Sequence, residues 1–366
     1  MPAPSAPTPR PVLAISMGDP GGIGAEVVVK ALADPVRHGS ARHRVYGSSA
    51  AMLEAARGAG IEPYWVRVPR ERAHALPHVL GTGGPDVVLV DADGMDDAGV
   101  GVGVDATPPP LTVHERRSTA AGGALSFQYV EDAIADAKRD VGDPLRADAI
   151  VTAPISKEAW ALAGHGEFPG HTELLAARFN ALRAAMMFEA DPLRVILVTT
   201  HIPLVDVPRA ITAERVLDVI EMGHGACVGL GVEKPRIAVC GLNPHAGEQG
   251  LLGDDEQRVI VPAMERARAK GMDVAGPFPG DTVFNAAVRK RYDLVVAMYH
   301  DQGLIPVKLL AFDRAVNVTL GLPTVRTSPD HGTAFDIAGR NVADPGSMGA
   351  AIDLAIRLAG RVSGSD

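Results

Sequence analysis

Cysteine is scarce: Cys227 and Cys240 are the only two in 366 residues. That excludes a disulfide framework and a zinc knuckle, and it fits a reducing compartment. Positive charge is also short, with 35 Lys and Arg against 44 Asp and Glu and a formal net charge of −9. A nucleic-acid role therefore has no electrostatic support. An acidic chain can still bind an anion, because a site sets its own local field. No apolar run approaches the ~18 residues that a membrane span needs. The amino terminus, M-P-A-P-S-A-P-T-P-R-P, has no apolar signal core, so residues 1–10 read as a disordered Pro-rich leader and the cytoplasm is the default location. No internal repeat is present. With 46% hydrophobic and 22% charged residues, the rest is globular and long enough for one large or two medium domains.

Apolar, β-rich runs alternate with helical patterns, which argues for a parallel α/β architecture. Strands are expected at residues 11–16, 44–47, 64–68, 87–90, 149–152, 194–200, 236–241 and 294–298, and plain loop at 99–110. Helices are expected at 25–33, 49–58, 118–138, 171–183, 213–222 and 255–270. Three of the strands end alike. One runs into Thr199-Thr200-His201-Ile202-Pro203-Leu204, another into Leu242-Asn243-Pro244-His245-Ala246-Gly247-Glu248, and the third into Tyr299-His300-Asp301-Gln302-Gly303. Parallel strands with helices between them leave their ends on one edge, so the three histidines can converge there. A lone histidine is usually a surface or core residue. Three at one topological position suggest a catalytic metal centre, since three neutral imidazoles with an open position suit zinc and similar ions. Asp281, in G-P-F-P-G-D-T-V-F, and Asp301 are candidate orienting carboxylates or bases. A helix N-cap is an equal reading of Asp281.

Polar residues also interrupt later apolar runs: Lys308, Asn317 in A-V-N-V-T-L, and Arg326 in V-R-T-S. A cation, an amide and a guanidinium together would grip a phosphate or carboxylate; a salt-bridged sheet edge is the plain alternative. Pro169-Gly170-His171-Thr172-Glu173 opens a helix, which places His171 and Thr172 at its positive end, although Thr is also an ordinary cap. Lys157 follows the strand at 149–152 through A-P-I-S. Near the start, Met17-Gly18-Asp19-Pro20-Gly21-Gly22-Ile23-Gly24 joins a strand to a helix, the order in which backbone N–H groups face an anion or cofactor. Gly18, Gly22 and Gly24 are candidates for that role. The spacing is neither G-x-G-x-x-G nor a Walker loop, so a tight structural turn stays equally open. Asp330-His331-Gly332-Thr333-Ala334-Phe335-Asp336-Ile337-Ala338-Gly339 combines a Gly turn, small residues and an acid. An acid beside a nucleotide ribose accepts from its 2′-hydroxyl and repels a 2′-phosphate.

T-T-H-I-P-L, G-L-N-P-H-A-G-E, M-Y-H-D-Q-G and V-N-V-T-L-G-L-P, followed by R-T-S and D-H-G-T-A, occur in this order. Together they resemble the 4-hydroxythreonine-4-phosphate dehydrogenase family of pyridoxal phosphate biosynthesis, from about Leu13 to the carboxyl terminus. The opening glycine loop and the last motif also resemble segments of isopropylmalate dehydrogenases. The resemblance implies an α/β fold of two α/β/α domains with a cleft between them, isocitrate/isopropylmalate dehydrogenase-like rather than Rossmann. Residues 11–152 with 312–366 would form the cofactor-side domain, and residues 153–311 the metal, substrate and dimerisation domain. It implies a divalent metal (Zn, alternatively Mg or Co) on His201, His245 and His300, in a site shared across a homodimer, with His300 given in trans. Substrate contacts fall on His171, Thr172, Lys308, Asn317 and Arg326. NAD would lie against Gly18, Gly22, Gly24, His331, Gly332, Thr333, Ala334 and Asp336, the acid favouring NAD over NADP. The implied reaction oxidises 4-phosphooxy-L-threonine to a 3-keto acid that decarboxylates to 3-amino-2-oxopropyl phosphate. Lys157, Asp281 and Asp301 are the candidate catalytic groups. Paralogues with these motifs act instead on D-threonate or D-erythronate 4-phosphate or on dihydrodiol dicarboxylates. A metal-dependent phosphatase or other hydrolase is a reading from a different class; D-H-G-T-A-F-D-I-A-G speaks against it, because hydrolysis needs no nucleotide.

Overall fold

The computed structural model describes residues 10–75, 84–93 and 114–362. The leader through Pro9 and the loop expected at 99–110 lie outside them. Twelve strands occur among the described residues: β1 (Val12–Ser16), β2 (Arg42–Gly47), β3 (Val66–Pro69), β4 (Val87–Asp91), β5 (Ala149–Thr152), β6 (Ala185–Ala190), β7 (Leu193–Leu197), β8 (Arg236–Cys240), β9 (Asp273–Phe278), β10 (Leu294–Ala297), β11 (Val316–Leu320) and β12 (Val325–Pro329). The chain divides into two compact units, residues 1–174 with 324–366, and residues 175–323.

The first unit orders its strands β3-β4-β2-β1-β5-β12, with parallel pairing throughout. β1, V-L-A-I-S, is buried at four of its five positions, as a parallel strand covered on both faces must be. Helix Ala120–Ala137 packs closely on helix Lys157–Leu162. A Cβ at Gly123 would lie 1.9 Å from the Ala159 carbonyl oxygen. The indole of buried Trp160 donates to Ser126 Oγ at 3.1 Å. This packing keeps residues 153–174 with the first unit, whereas the sequence suggested a boundary at 152/153.

The second unit orders its strands β11-β6-β7-β10-β8-β9. β7, β10, β8 and β9 run parallel, but β6 is antiparallel to both β7 and β11. The parallel α/β architecture expected from the sequence is thus interrupted only at the β6 pairings among those described. A-M-M-F-E-A has no β-branched residue to mark it as a strand, yet it closes a hairpin with β7 through Asp191-Pro192. Pairing of β11 with β6 also draws residues 312–323 into this unit rather than the first. Phe188, Val195, Leu197, Val295, Leu304 and Val307 are among its core side chains; each contributes about 1.5–3 kcal/mol by leaving water. β10 sits between β7 and β8, parallel to both. The carboxyl ends of these three strands therefore share one edge, and the three histidine-bearing segments leave from it.

Candidate active site

His201 follows β7, and His300 is the first residue of helix His300–Ala311 after β10. Their ring centroids lie 5.5 Å apart. Two imidazoles on one tetrahedral ion, at metal–nitrogen distances of about 2.0–2.1 Å, would place their centroids roughly 5 Å apart. His300 Nδ1 is 2.7 Å from Asp301 Oδ1, and His245 Nδ1 is 3.0 Å from Glu248 Oε2. Turning Nδ1 to a carboxylate fixes the ring and leaves Nε2 for an ion, the usual arrangement around metal-bound histidine. The donor set thus fits a divalent ion. Within one chain it does not close: among the described residues no group of three or more His, Cys, Asp or Glu is placed to hold a metal. The structure brings His201 and His300 together and leaves His245 apart, on the turn after β8. The resemblance assigns His300 to a partner's site, whereas its ring approaches His201 of its own chain.

Asp281 lies in the first turn of helix Gly280–Val288, whose N-cap position is Pro279 with no side-chain cap. The N-cap reading of Asp281 is not realised, and its side chain is exposed. That helix starts beside the His300 helix, since a Cβ at Gly280 would lie 3.0 Å from Gln302 Nε2. Gln302 accepts from the Met298 N–H and donates to the Gly241 carbonyl, tying the ends of β10 and β8 together. The turn bearing His245 is left-handed over five residues, with φ of 54° at His245, 53° at Ala246, 79° at Gly247, 44° at Glu248 and 59° at Gln249. Left-handed backbone costs a non-glycine residue roughly 1–2 kcal/mol. Four such residues store several kcal/mol, of the kind that persists at functional sites.

A buried basic group forms in the first unit. Arg326, on β12, is 2% exposed, and its Nη2 donates to Thr152 Oγ1 at 2.6 Å. Burial pushes its pKa down to about 10, which keeps the guanidinium charged at neutral pH. His171 opens helix His171–Arg178 with its ring edge-on to Trp160, centroids 5.6 Å apart. Its Nε2 is buried with no hydrogen-bond partner. Burial first, then the charges of Arg326 and Lys157, hold its pKa well below the usual 6.5. A neutral imidazole with an unsatisfied buried nitrogen, next to two cations, is chemically suited to an anion. Lys157 and Glu173 flank Gly170, where a Cβ would meet Lys157 Cε at 3.6 Å and Glu173 Oε2 at 3.4 Å. Thr172 follows His171 in the same helical turn. Lys308 and Asn317 belong to the second unit. The Lys308 ammonium lies 5.7 Å from the Phe312 ring centroid, and Asn317 Oδ1, on β11, is buried without a partner.

The glycine-rich loop and the segment after β12 meet. The Ile23 N–H donates to the Thr333 carbonyl at 2.9 Å, and a Cβ at Gly22 would lie 2.9 Å from the same oxygen. The loop spends its amides within the chain: Asp19 N on Pro154 O, Gly21 N on Asp19 Oδ1, Gly22 N on Asp19 O. A Cβ at Gly18 or Gly24 would fall 2.2 or 2.0 Å from a backbone oxygen. Gly22 and Ile23 therefore pack directly on Thr333, while Gly18 and Gly24 let the loop close on the backbone at Pro154 and Met17. Of the remaining cofactor-side candidates, His331 has a buried, unpartnered Nε2 and a pKa lowered by burial, while Asp336 is exposed. Gly332, Thr333 and Ala334 form the stretch between them. Sequence reasoning missed Gln302, Glu248 and Thr152. Only Glu248 carried a local signal, three residues after His245 in H-A-G-E.

A two-unit α/β chain with carboxylate-paired histidines just after parallel strands, and with a buried arginine beside a histidine whose Nε2 is buried, has the make-up of an α/β enzyme. Residues 93–355 match the model of the family described as pyridoxal phosphate biosynthetic protein PdxA. The chain is 45% identical to the 4-hydroxythreonine-4-phosphate dehydrogenase of Geobacter metallireducens, over 98% of both chains. It is 43% identical to the D-threonate 4-phosphate dehydrogenase of Cupriavidus necator, over 96% of this chain and 98% of that one. The crystal structure of 4-hydroxythreonine-4-phosphate dehydrogenase from Klebsiella pneumoniae matches with a TM-score of 0.77 at 38% identity, over 97% of this chain and 99% of that one. The chain belongs to the PdxA family, whose named members here are oxidoreductases.

Proposed function

We propose that the protein is an NAD- and metal-dependent dehydrogenase that oxidises 4-hydroxythreonine 4-phosphate to the 3-keto acid, which loses carbon dioxide to give 3-amino-2-oxopropyl phosphate. The observation that carries this reading is the His201–His300 pair with Asp301 at its back, in a chain of this family. His201, His245 and His300 would hold the divalent ion (Zn, with Co or Mg as alternatives), with Asp301 and Glu248 fixing two of the rings. A bound ion supplies Lewis acidity at the substrate hydroxyl, and NAD supplies the hydride acceptor. Arg326, Lys157, the neutral His171 and Thr172 bind the phosphate; Lys308 and Asn317 are the further substrate contacts. Asp281, exposed beside the His300 helix, takes the hydroxyl proton. Asp336 accepts from the ribose 2′-hydroxyl, which favours NAD over NADP, and His331 lies five residues before it.

The working form we propose is a homodimer. Exposed apolar side chains flank every one of the three histidines: Leu204 and Val205 after His201, Leu251 after the His245 turn, and Ile305, Leu309 and Phe312 on one face of the His300 helix. Such patches mark interaction surfaces. A second copy suits this one, because the ligand set stays open in a single chain. Among the described residues no helix is long and apolar enough to cross a membrane. We place the enzyme in the reducing cytoplasm, where Cys227 and Cys240, both free and buried, stay thiols.

D-Threonate 4-phosphate is a second substrate reading, favoured by the Cupriavidus relative. It differs from the first substrate at C2, a hydroxyl in place of the ammonium. NADH formation measured side by side on 4-hydroxythreonine 4-phosphate, D-threonate 4-phosphate and D-erythronate 4-phosphate decides between them. Reduction of NAD by none of the three, with release of phosphate instead, would overturn the dehydrogenase reading in favour of a hydrolase.

A further inference from the structure

We propose that Glu256 is a positioning residue for His245, holding the left-handed turn that presents this imidazole to the metal; the inference rests on the metal reading above. Glu256 is 2% exposed and begins the segment Glu256–Ile260. Its Oε1 accepts both the Leu242 and the Asn243 backbone N–H, at 2.8 and 2.7 Å. Its Oε2 accepts from Asn243 Nδ2 at 3.1 Å, and the same Nδ2 donates to Asp255 Oδ2 at 3.0 Å. Leu242 and Asn243 immediately precede Pro244-His245, so one carboxylate fixes how the chain enters the turn.

The turn then folds back over the same group. A Cβ at Gly247 would lie 2.5 Å from Glu256 Oε2, and one at Gly241 would lie 2.7 Å from Ala246 Cα and 3.0 Å from Glu256 Oε1. Glycine at both positions lets backbone close directly on the carboxylate. The exit is pinned by Leu251 N on Glu248 O at 3.2 Å and Leu252 N on Gly247 O at 3.1 Å. Histidine adopts positive φ more readily than most residues, but nothing intrinsic to Ala246, Glu248 or Gln249 favours it. Their conformation survives because the surroundings over-determine it, and Glu256 is the buried polar part of those surroundings. Glu248, whose carboxylate meets His245 Nδ1, sits in the same turn. Loosening the turn therefore disturbs both the imidazole and its brace.

The test is a titration of the full-length protein with Co2+, followed by d–d absorption, for wild type, Glu256→Gln and His245→Ala, with thermal melts of the metal-free proteins as control. Glutamine keeps the volume and one acceptor but removes the charge. The expected result is a cooperative Glu256→Gln melt close to wild type, with Co2+ bound at least ~10-fold more weakly and an altered band; His245→Ala binds more weakly still. Wild-type affinity and spectrum in a folded Glu256→Gln protein overturn the positioning role and leave the metal reading standing. Failure of the wild type itself to bind Co2+ overturns both. Should Glu256→Gln not fold, Gly247→Ala, which drives a methyl toward the carboxylate, gives the same readout and the same two outcomes.

Discussion

Arg326→Met should leave the fold at least as stable while it disables the enzyme. The guanidinium is 2% exposed, and burial lowers its pKa from 12.5 to about 10. A displacement of that size means that holding the charge in the folded state costs about 3 kcal/mol. Methionine fills similar volume without the charge. Losing the polar contacts of the charged guanidinium, the 2.6 Å bond to Thr152 Oγ1 among them, returns roughly 1.5–3 kcal/mol of that gain. The net expectation is a stability unchanged or raised by up to about 1.5 kcal/mol, in line with what is found when buried charges give way to packed apolar side chains. On the substrate side the variant loses charge-assisted contacts to the phosphate worth about 3 kcal/mol, so kcat/KM should fall at least ~100-fold, mainly through KM. Urea unfolding at constant m-value reads the first effect, and initial rates of NADH formation read the second. A variant that is destabilised by more than about 1 kcal/mol and keeps its kcat/KM would refute the assignment of Arg326 as a buried charge held for substrate.

Acid should weaken the fold through His43, which is buried in β2 and whose pKa burial lowers from 6.5 to about 4. The unfolded state then binds the extra proton first, so this contribution is complete above pH 6.5 and is lost as pH falls toward 4. Between pH 7 and pH 4 the loss should be about 3 kcal/mol, and His43→Leu should remove that part of the pH dependence in denaturant titrations. Leu309→Lys, at a side chain 82% exposed, should yield monomers in sedimentation and lose metal affinity; a stable dimer with full affinity would move the interface elsewhere. Pairwise mixing of His201→Ala, His245→Ala and His300→Ala proteins identifies the subunit of origin. In a two-fold dimer, variants lacking ligands from different subunits should regain about a quarter of the wild-type sites, and variants lacking ligands from the same subunit none.

That the three histidine-bearing segments leave one sheet edge was legible because it depends only on topology. β7, β8 and β10 are apolar, β-branched runs with helices between them, and such strands pair in parallel. The antiparallel β6 was hidden because A-M-M-F-E-A lacks β-branched residues and runs straight into Asp191-Pro192. The helix from His300 was hidden by Gly303 and Pro306, which break the expected pattern but lie within it. The glycine loop could be located but not interpreted, because its amide partners, Pro154 and Thr333, are remote in sequence. The left-handed turn was illegible for a stronger reason. Three of its five residues, Ala246, Glu248 and Gln249, have no preference for that backbone, and the groups that impose it are Glu256 and Asn243. Thr152, which orients Arg326, lies 174 residues away from it.

The central claim is that these histidines hold a divalent ion that the dehydrogenase needs. It is tested most directly by NADH formation from 4-hydroxythreonine 4-phosphate before chelation, after it, and after return of Zn2+ or Co2+. The account predicts turnover, its loss with the metal, its recovery on addition, and none in folded His245→Ala protein. Undiminished turnover in metal-stripped protein, with His201→Ala, His245→Ala and His300→Ala all active, would contradict it.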